Sequence, residues 1–340
     1  MSHVLVVSGG LLVEPDWGEL APGCVPDRLA RRLTRSRRDW QSLDAPWSDG
    51  AAHLAWLARA FGVPGDPPAC AAFAWQAAQG TDLSGAQAGD VWFCEPVHLS
   101  LEPERTVLVP IDAPPLTEQE THELFDAAAA SARDLGAQLR RAGGRWYLFP
   151  QAAWELRTTA LQAALGASIE ARLPQGRNAA QWRRLMNEVQ MSWHASRVNR
   201  EREERGQQVA NGLWLHGGGA WCALDRSRFA RIHSDDPVVL GWHQAAAPAP
   251  QRQGGSDALS VWTGLFEPYW RRDWSAWAAA WADLDSTVET LLEHRPDAGR
   301  PLELVICGRR GAARFVIDRG TSLLPWRRRS LRECLLEPSP

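Results

Sequence analysis

Between His194 and Gly219 the chain gathers side chains suited to holding an anion: His194, Asn199, Arg202, Asn211 and His216, closed by Gly217-Gly218-Gly219. Arginine supplies a fork of N–H donors, asparagine and histidine add neutral ones, and consecutive glycines leave backbone amides accessible. A phosphate or carboxylate suits that set. Asn199 and Arg202 lie three residues apart in an Arg- and Glu-rich segment that ends at Gly206, so on a helix they project the same way. Ser8, the one catalytic candidate, follows the apolar run Val4–Val7, where an open parallel sheet binds ligands. It has no Gly-x-Ser-x-Gly context, so a hydrolase elbow is not expected. His233, Asp235 and Asp236, with His243, could form a metal cluster, although His-x-Asp-Asp-Pro also reads as a polar turn. Asp16, Asp90 and Asp112 fall in loops near strand ends.

The elements that must position these residues follow from periodicity. Val4–Val7 reads as a strand buried on both faces. Helices are expected over Pro26–Leu33 and Ala51–Phe61, and Val91–Phe93 as the next core strand. Val97–Leu101 and Thr106–Pro110 alternate and read as a hairpin across 102–105. Thr117 and Glu120 form a capping box opening a helix with Leu124, Ala128, Leu135 and Leu139 on one face, stopped by Gly143-Gly144, before a strand over Arg145–Phe149. Gln181–His194 is a helix whose apolar stripe faces a core. Leu213–Leu215 is a short strand leading into the glycines, and Val238–Leu240 another. Ala245–Gly255 reads as a linker. Asp273–His294 is a long helix carrying Trp274, Trp277, Trp281, Leu284 and Val288. Leu302–Cys307 and Ala312–Ile317 pair across Gly308–Gly311.

The 37 basic and 40 acidic residues nearly balance, so neither nucleic acid nor membrane is expected as a partner, and the basic run Trp326–Arg329 reads as a solvated surface or a contact for an acidic partner. Every basic residue is Arg, which excludes a Walker-type phosphate loop and lysine-based chemistry. The six cysteines have neither zinc-site nor disulfide-framework spacing. With no leader and no apolar run of about 20 residues, a cytoplasmic protein is expected. The 19 tryptophans are expected mostly in cores.

The central motif resembles that of the archaeal-type cofactor-independent phosphoglycerate mutases of the alkaline-phosphatase superfamily. His194, Val198-Asn199, Arg202, Gly206, Ala210-Asn211 and Gly217–Gly219 look like its signature positions. Weaker echoes are Pro26–Ala30, Glu95-Pro96-Val97 and Thr117-x-x-Glu120. Over most of its length the chain is similar to a bacterial offshoot of that family, the RpfE-type regulatory proteins. The resemblance implies an α/β fold, an alkaline-phosphatase-like mostly parallel sheet flanked by helices, with an inserted smaller α+β domain. The expected division is 1–95 and 195–340 for the core and 96–194 for the insert. In that family the first strand ends in an Asp-Gly whose Asp binds metal, and a late strand ends in a metal-binding Asp-His pair. Here Ser8-Gly9 and Gly308-Arg309-Arg310 stand there.

Three readings follow. A protein that has lost the two-metal site would bind a phosphorylated or carboxylated metabolite through His194, Asn199, Arg202, Asn211, His216 and Gly217–Gly219, in a regulatory role and with a possible protein partner; no cofactor is expected. An active phosphomutase or phosphatase would draw substitute ligands for Mn, Mg or Zn from Ser8, Asp16, His216, His233, Asp235 and Asp236. A structural motif would spend Asn199, Asn211 and Arg202 on backbone and on a neighbouring Glu.

Overall fold

The structure is a computed structural model describing residues 3–20, 23–43, 45–80, 89–225, 227–246, 257–293, 301–317 and 329–338. It opens with β1 (His3–Val7), α1 (Glu14–Trp17), α2 (Asp27–Arg35), β2 (Arg38–Ser42), α3 (Ala52–Phe61) and α4 (Ala71–Gln79). Then come β3 (Val91–Glu102), β4 (Arg105–Val109), α5 (Glu118–Asp134), β5 (Ala137–Ala142), β6 (Arg145–Pro150), α6 (Leu161–Ala164), α7 (Ala179–His194) and α8 (Arg197–Glu204). The remainder is β7 (Gly212–Gly219), β8 (Phe229–His233), α9 (Pro237–Ala245), β9 (Asp257–Trp262), α10 (Phe266–Arg271), α11 (Trp274–Glu293), β10 (Leu302–Cys307), β11 (Gly311–Ile317) and α12 (Leu331–Leu335).

These elements form two compact units. The first comprises Met1–Gly62, Leu224–Asp236 and Ala246–Pro340, and the second Val63–Ala223 with Pro237–Ala245. The second unit is wider than the expected 96–194. The reason is that β3 runs unbroken from Val91 to Glu102, so a boundary at Glu95 would cut a strand that also pairs with β7.

The first unit is α/β, with a mostly parallel sheet in the order β2-β11-β10-β1-β9-β8. β1 lies parallel to both β10 and β9, and β9 is parallel to β8. β11 and β2 add an antiparallel edge. Leu5, Val7, Leu304 and Ile306 pack with Leu29 and Leu33 of α2 and with Trp277, Trp281, Leu284 and Val288 of α11. Transfer of Leu284 or Val288 from water is worth roughly 1.5–3 kcal/mol each, which is why an apolar stripe of about three turns fixes α11 to the sheet. Trp277 also donates its indole N–H to the Gly9 carbonyl at 2.9 Å. Gly9 adopts φ +76°, and a Cβ there would stand 2.7 Å from the Phe266 Cα. The glycine lets the chain turn away from β1 beneath α10.

The second unit is α+β around an antiparallel sheet, β4-β3-β6-β5, with β7 also paired to β3. Val91–Phe93 therefore belongs to this sheet and not to the parallel one. The helix opened by the capping box ends earlier than expected: Gly136 turns at φ +72°, Leu139 lies on β5, and Gly143-Gly144 forms the β5–β6 turn. The alternation of buried Ala137 and Leu139 with exposed Gln138 and Arg140 outweighs helical spacing. Val238–Leu240 is helical in α9. Pro237 starts that helix, and Gly241 lies against α4 so closely that a Cβ would meet the Phe73 carbonyl oxygen at 2.2 Å. Strands β2, β8 and β9 and helix α4 have no counterpart in the sequence expectations. His294, residues 247–255 of the expected linker and Trp326–Arg328 lie outside the described residues. Among the described residues no helix is long and apolar enough to cross a membrane.

Candidate functional site

The central motif is drawn together in the second unit, but mostly onto backbone. Ser196 caps α8, its hydroxyl accepting from the Asn199 N–H at 3.1 Å. Buried Asn199 donates through Nδ2 to the carbonyls of Trp193 (2.9 Å) and Ala210 (2.7 Å), and its Oδ1 accepts from the Ala210 N–H at 3.1 Å. Asn211 treats Leu99 the same way, accepting from its N–H at 2.6 Å and donating to its carbonyl at 3.0 Å. Each amide thus stands in for a strand partner. Together they pin the irregular segment between α8 and β7, whose backbone groups would otherwise lack partners.

Arg202 is 1% exposed and is held on three sides. Nε donates to the Gln208 carbonyl at 2.5 Å, Nη2 to the Pro114 carbonyl at 2.7 Å, and Nη1 to Glu120 Oε2 at 3.0 Å. Glu120 belongs to the capping box of α5 and also accepts from Arg205 at 2.9 Å. Burial opposes its charge, but the Thr117 N–H and hydroxyl, Arg202 and Arg205 hold its carboxyl below the usual range. A cavity of about 370 Å³ opens beside this network, lined among others by Arg197, Arg202 and Arg205 and by Glu120, Glu123 and Glu201. Arg197 pairs with Glu123 and with Glu201. Three cations face three anions there, so the cavity has no surplus of positive charge to attract an oxyanion.

The other motif residues go elsewhere. His194 is an exposed last residue of α7. Buried His216 bonds Glu95 Oε2 through Nε2 at 2.9 Å and stacks on Phe93 at 4.9 Å. Burial opposes the Glu95 charge, yet Arg145, 3.8 Å away, and His216 keep that carboxyl below its ordinary value. Gly217, Gly218 and Gly219 are the end of β7 and do not form an open loop. A Cβ at 218 would overlap the Trp92 ring at 2.0 Å, and one at 219 would meet Ala69 Cβ at 2.8 Å. At about 3.3 Å per residue, this end of β7 lies roughly 20 Å along the strand from Asn211.

In the first unit, the carboxyl ends of β1 and β10 gather a different set. Ser8 is fully buried, and its Oγ lies 2.8 Å from His53 Nδ1. Burial lowers the His53 pKa to about 4, so the imidazole that shares this hydrogen bond with the Ser8 hydroxyl is neutral. His53 stands in α3, whose other buried residues are all Ala, Leu, Trp or Phe. A lone polar residue in such a helix signals a buried partner, and that signal was present in the sequence. Around the same strand ends, Arg309 engages Asp49 through Nε and Nη2, both at 3.2 Å. Arg272 lies 3.6 Å from the buried Asp16. Burial raises the Asp16 carboxyl and the Tyr269 hydroxyl. Glu337, just beyond α12, accepts the Arg310 N–H at 2.9 Å.

The metal positions implied by the resemblance do not fit a metal. Ser8 is committed to His53, and Arg309 places a guanidinium where the pattern calls for Asp-His. Among the described residues no three His, Cys, Asp or Glu side chains converge to hold an ion. His233 stacks on His3 at 6.1 Å, and Ser234 accepts the Asp236 N–H at 3.1 Å as a polar turn does. Asp90 accepts the Trp154 N–H at 3.2 Å.

No family model matches the chain, and no curated protein does. Among solved structures it is similar to the PH0037 protein from Pyrococcus horikoshii, at 14% identity over 98% of this chain and 92% of that one, with a TM-score of 0.52. It is also similar to a cofactor-independent phosphoglycerate mutase from Thermoplasma acidophilum DSM 1728, at 16% identity over 94% and 90%, with a TM-score of 0.41. At such identities the likeness is one of fold alone.

Proposed function

We propose that this chain is a phosphoglycerate-mutase-like protein without the two-metal catalytic site, acting in the cytoplasm as a binding or regulatory protein for a small phosphorylated or carboxylated metabolite. The observation that carries this reading is the pair of substitutions at the strand ends of the first unit. Ser8, closed onto a neutral His53, and Arg309, bridged to Asp49, replace groups that would have to be hard, anionic and convergent. Loss of that set removes the means of activating a nucleophile, while Arg309 and nearby backbone N–H groups keep the edge suited to an anion. The Asn199, Arg202 and Asn211 motif is assigned a bracing role in the second unit, because its polar groups are spent on backbone and on Glu120.

Metal content by mass spectrometry, with thermal shifts on adding Mn²⁺, Mg²⁺ or Zn²⁺, tests the reading. The expected result is no stoichiometric metal and no shift, since an ion that does not bind the folded state cannot stabilise it. About two ions per chain, with a raised melting temperature, would restore the phosphomutase or phosphatase alternative.

A further inference from the structure

We propose that the turn Gly308–Gly311 at the carboxyl end of β10 is a small-oxyanion site occupied by the chain's own Glu337, so that a free phosphate or carboxylate competes with this side chain. The inference deepens the metal-free reading above and rests on it. Glu337 is 8% exposed. Its Oε1 accepts the Arg310 N–H at 2.9 Å. Gly308 makes the approach possible: a Cβ there would stand 2.5 Å from that oxygen and 3.1 Å from Glu337 Cδ. The turn itself is closed by the Gly308 N–H donating to the Gly311 carbonyl at 3.0 Å.

Successive N–H groups in a turn form a concavity that favours negative charge, and here a carboxylate sits in it. It sits there imperfectly, because Glu337 Oε2 is buried with no hydrogen-bond partner among the described residues. A carboxylate placed only to brace the turn would be expected to satisfy both oxygens. Burial raises the Glu337 carboxyl, and the N–H groups of Arg310, Arg309 and Gly311 pull against that rise. The guanidinium of Arg309, half-exposed and on the same turn, supplies a charge that an incoming anion can share with Asp49. The backbone of the Glu337 segment is fixed independently, by Leu12 N–H to Leu335 carbonyl (2.9 Å) and Glu337 N–H to Leu12 carbonyl (2.9 Å). Only the side chain has to swing away.

Titration of inorganic phosphate into full-length wild type and E337Q, in EDTA, tests this. E337Q keeps the shape but removes the competing charge, and it is expected to bind phosphate about tenfold more tightly than wild type. Adding R309A to E337Q should abolish the gain. Equal binding by folded E337Q and wild type overturns the proposal, as does a gain that survives R309A, which would mark an adventitious ion only. If E337Q does not fold, E337D retains the charge on a side chain one methylene shorter and should show a smaller gain; failure of both to fold would make Glu337 a structural brace and overturn the assignment. A gain seen only when the titration is repeated without EDTA and with added Mn²⁺ supports displacement of Glu337 and overturns the metal-free reading instead.

Discussion

At Arg202, three donors of one guanidinium meet three acceptors within 3.0 Å, whereas at Glu337 one carboxylate oxygen is bonded and the other has no partner among the described residues. The first cluster stands beside a cavity whose charges cancel. The second stands at the carboxyl ends of parallel strands, beside a histidine that burial keeps neutral and an arginine that is only half covered. A buried polar group with every partner in place holds a structure together, while one left unsatisfied stores free energy that a ligand can release. The contrast separates the motif that looks most functional in sequence from the edge that has the unsatisfied chemistry.

Arg202→Ala should have the largest effect. It leaves two carbonyls facing an emptied site and Glu120 with Arg205 as its remaining cation, and each lost hydrogen bond to a charged group costs about 1.5–3 kcal/mol. Urea unfolding should show the midpoint falling with no change in phosphate binding by the intact protein. A fully stable R202A that lost ligand affinity would reverse the assignment of the two clusters.

His53 comes next. Its pKa is about 4 in the folded chain against 6.5 in the unfolded one. Between those values the unfolded state holds a proton that the folded state does not, so stability declines as pH falls through 6.5 and levels off below about 4, by on the order of 3 kcal/mol in all. Melting temperatures of wild type should drop over that window more steeply than those of His53→Gln. Parallel curves for the two would show that His53 is not a buried neutral base.

The smallest effect is expected at Arg309. Its side chain is about half exposed, so Arg309→Ala should cost no more than about 1 kcal/mol, the range of surface pairs. Calorimetry should find nearly unchanged melting. A loss as large as that of R202A would mean that the strand-end edge is braced like the second unit, which would erase the contrast.

Much of the architecture was legible from residue patterns. The apolar run at Val4–Val7, the stripe on α11 and the hairpin across Gly308–Gly311 all form where periodicity puts them. The Thr117-x-x-Glu120 box caps α5. These succeed because capping, turn chemistry and one-sided burial are local. Gly136 and Pro237 were readable as stops and starts too, but the helical spacing of Leu139 and the apolar character of Val238–Leu240 pulled the other way. Only strand pairing with β6 and packing of α9 on α4 decide those segments.

The site divides along the same line. Sequence alone determined which groups are available: an arginine and two asparagines around a turn, three glycines, and a serine in place of an acidic residue directly after β1. It could not determine where their hydrogen bonds go, because a donor's partner is often a backbone group far away in the chain. Asn211 finds Leu99, 112 positions away, and Glu120 finds Arg202, 82 positions away. His53 and Glu337 meet Ser8 and Arg310 only once the parallel strands are aligned. Folding decided which polar groups were satisfied and which were left over, since satisfaction is a property of neighbours in space.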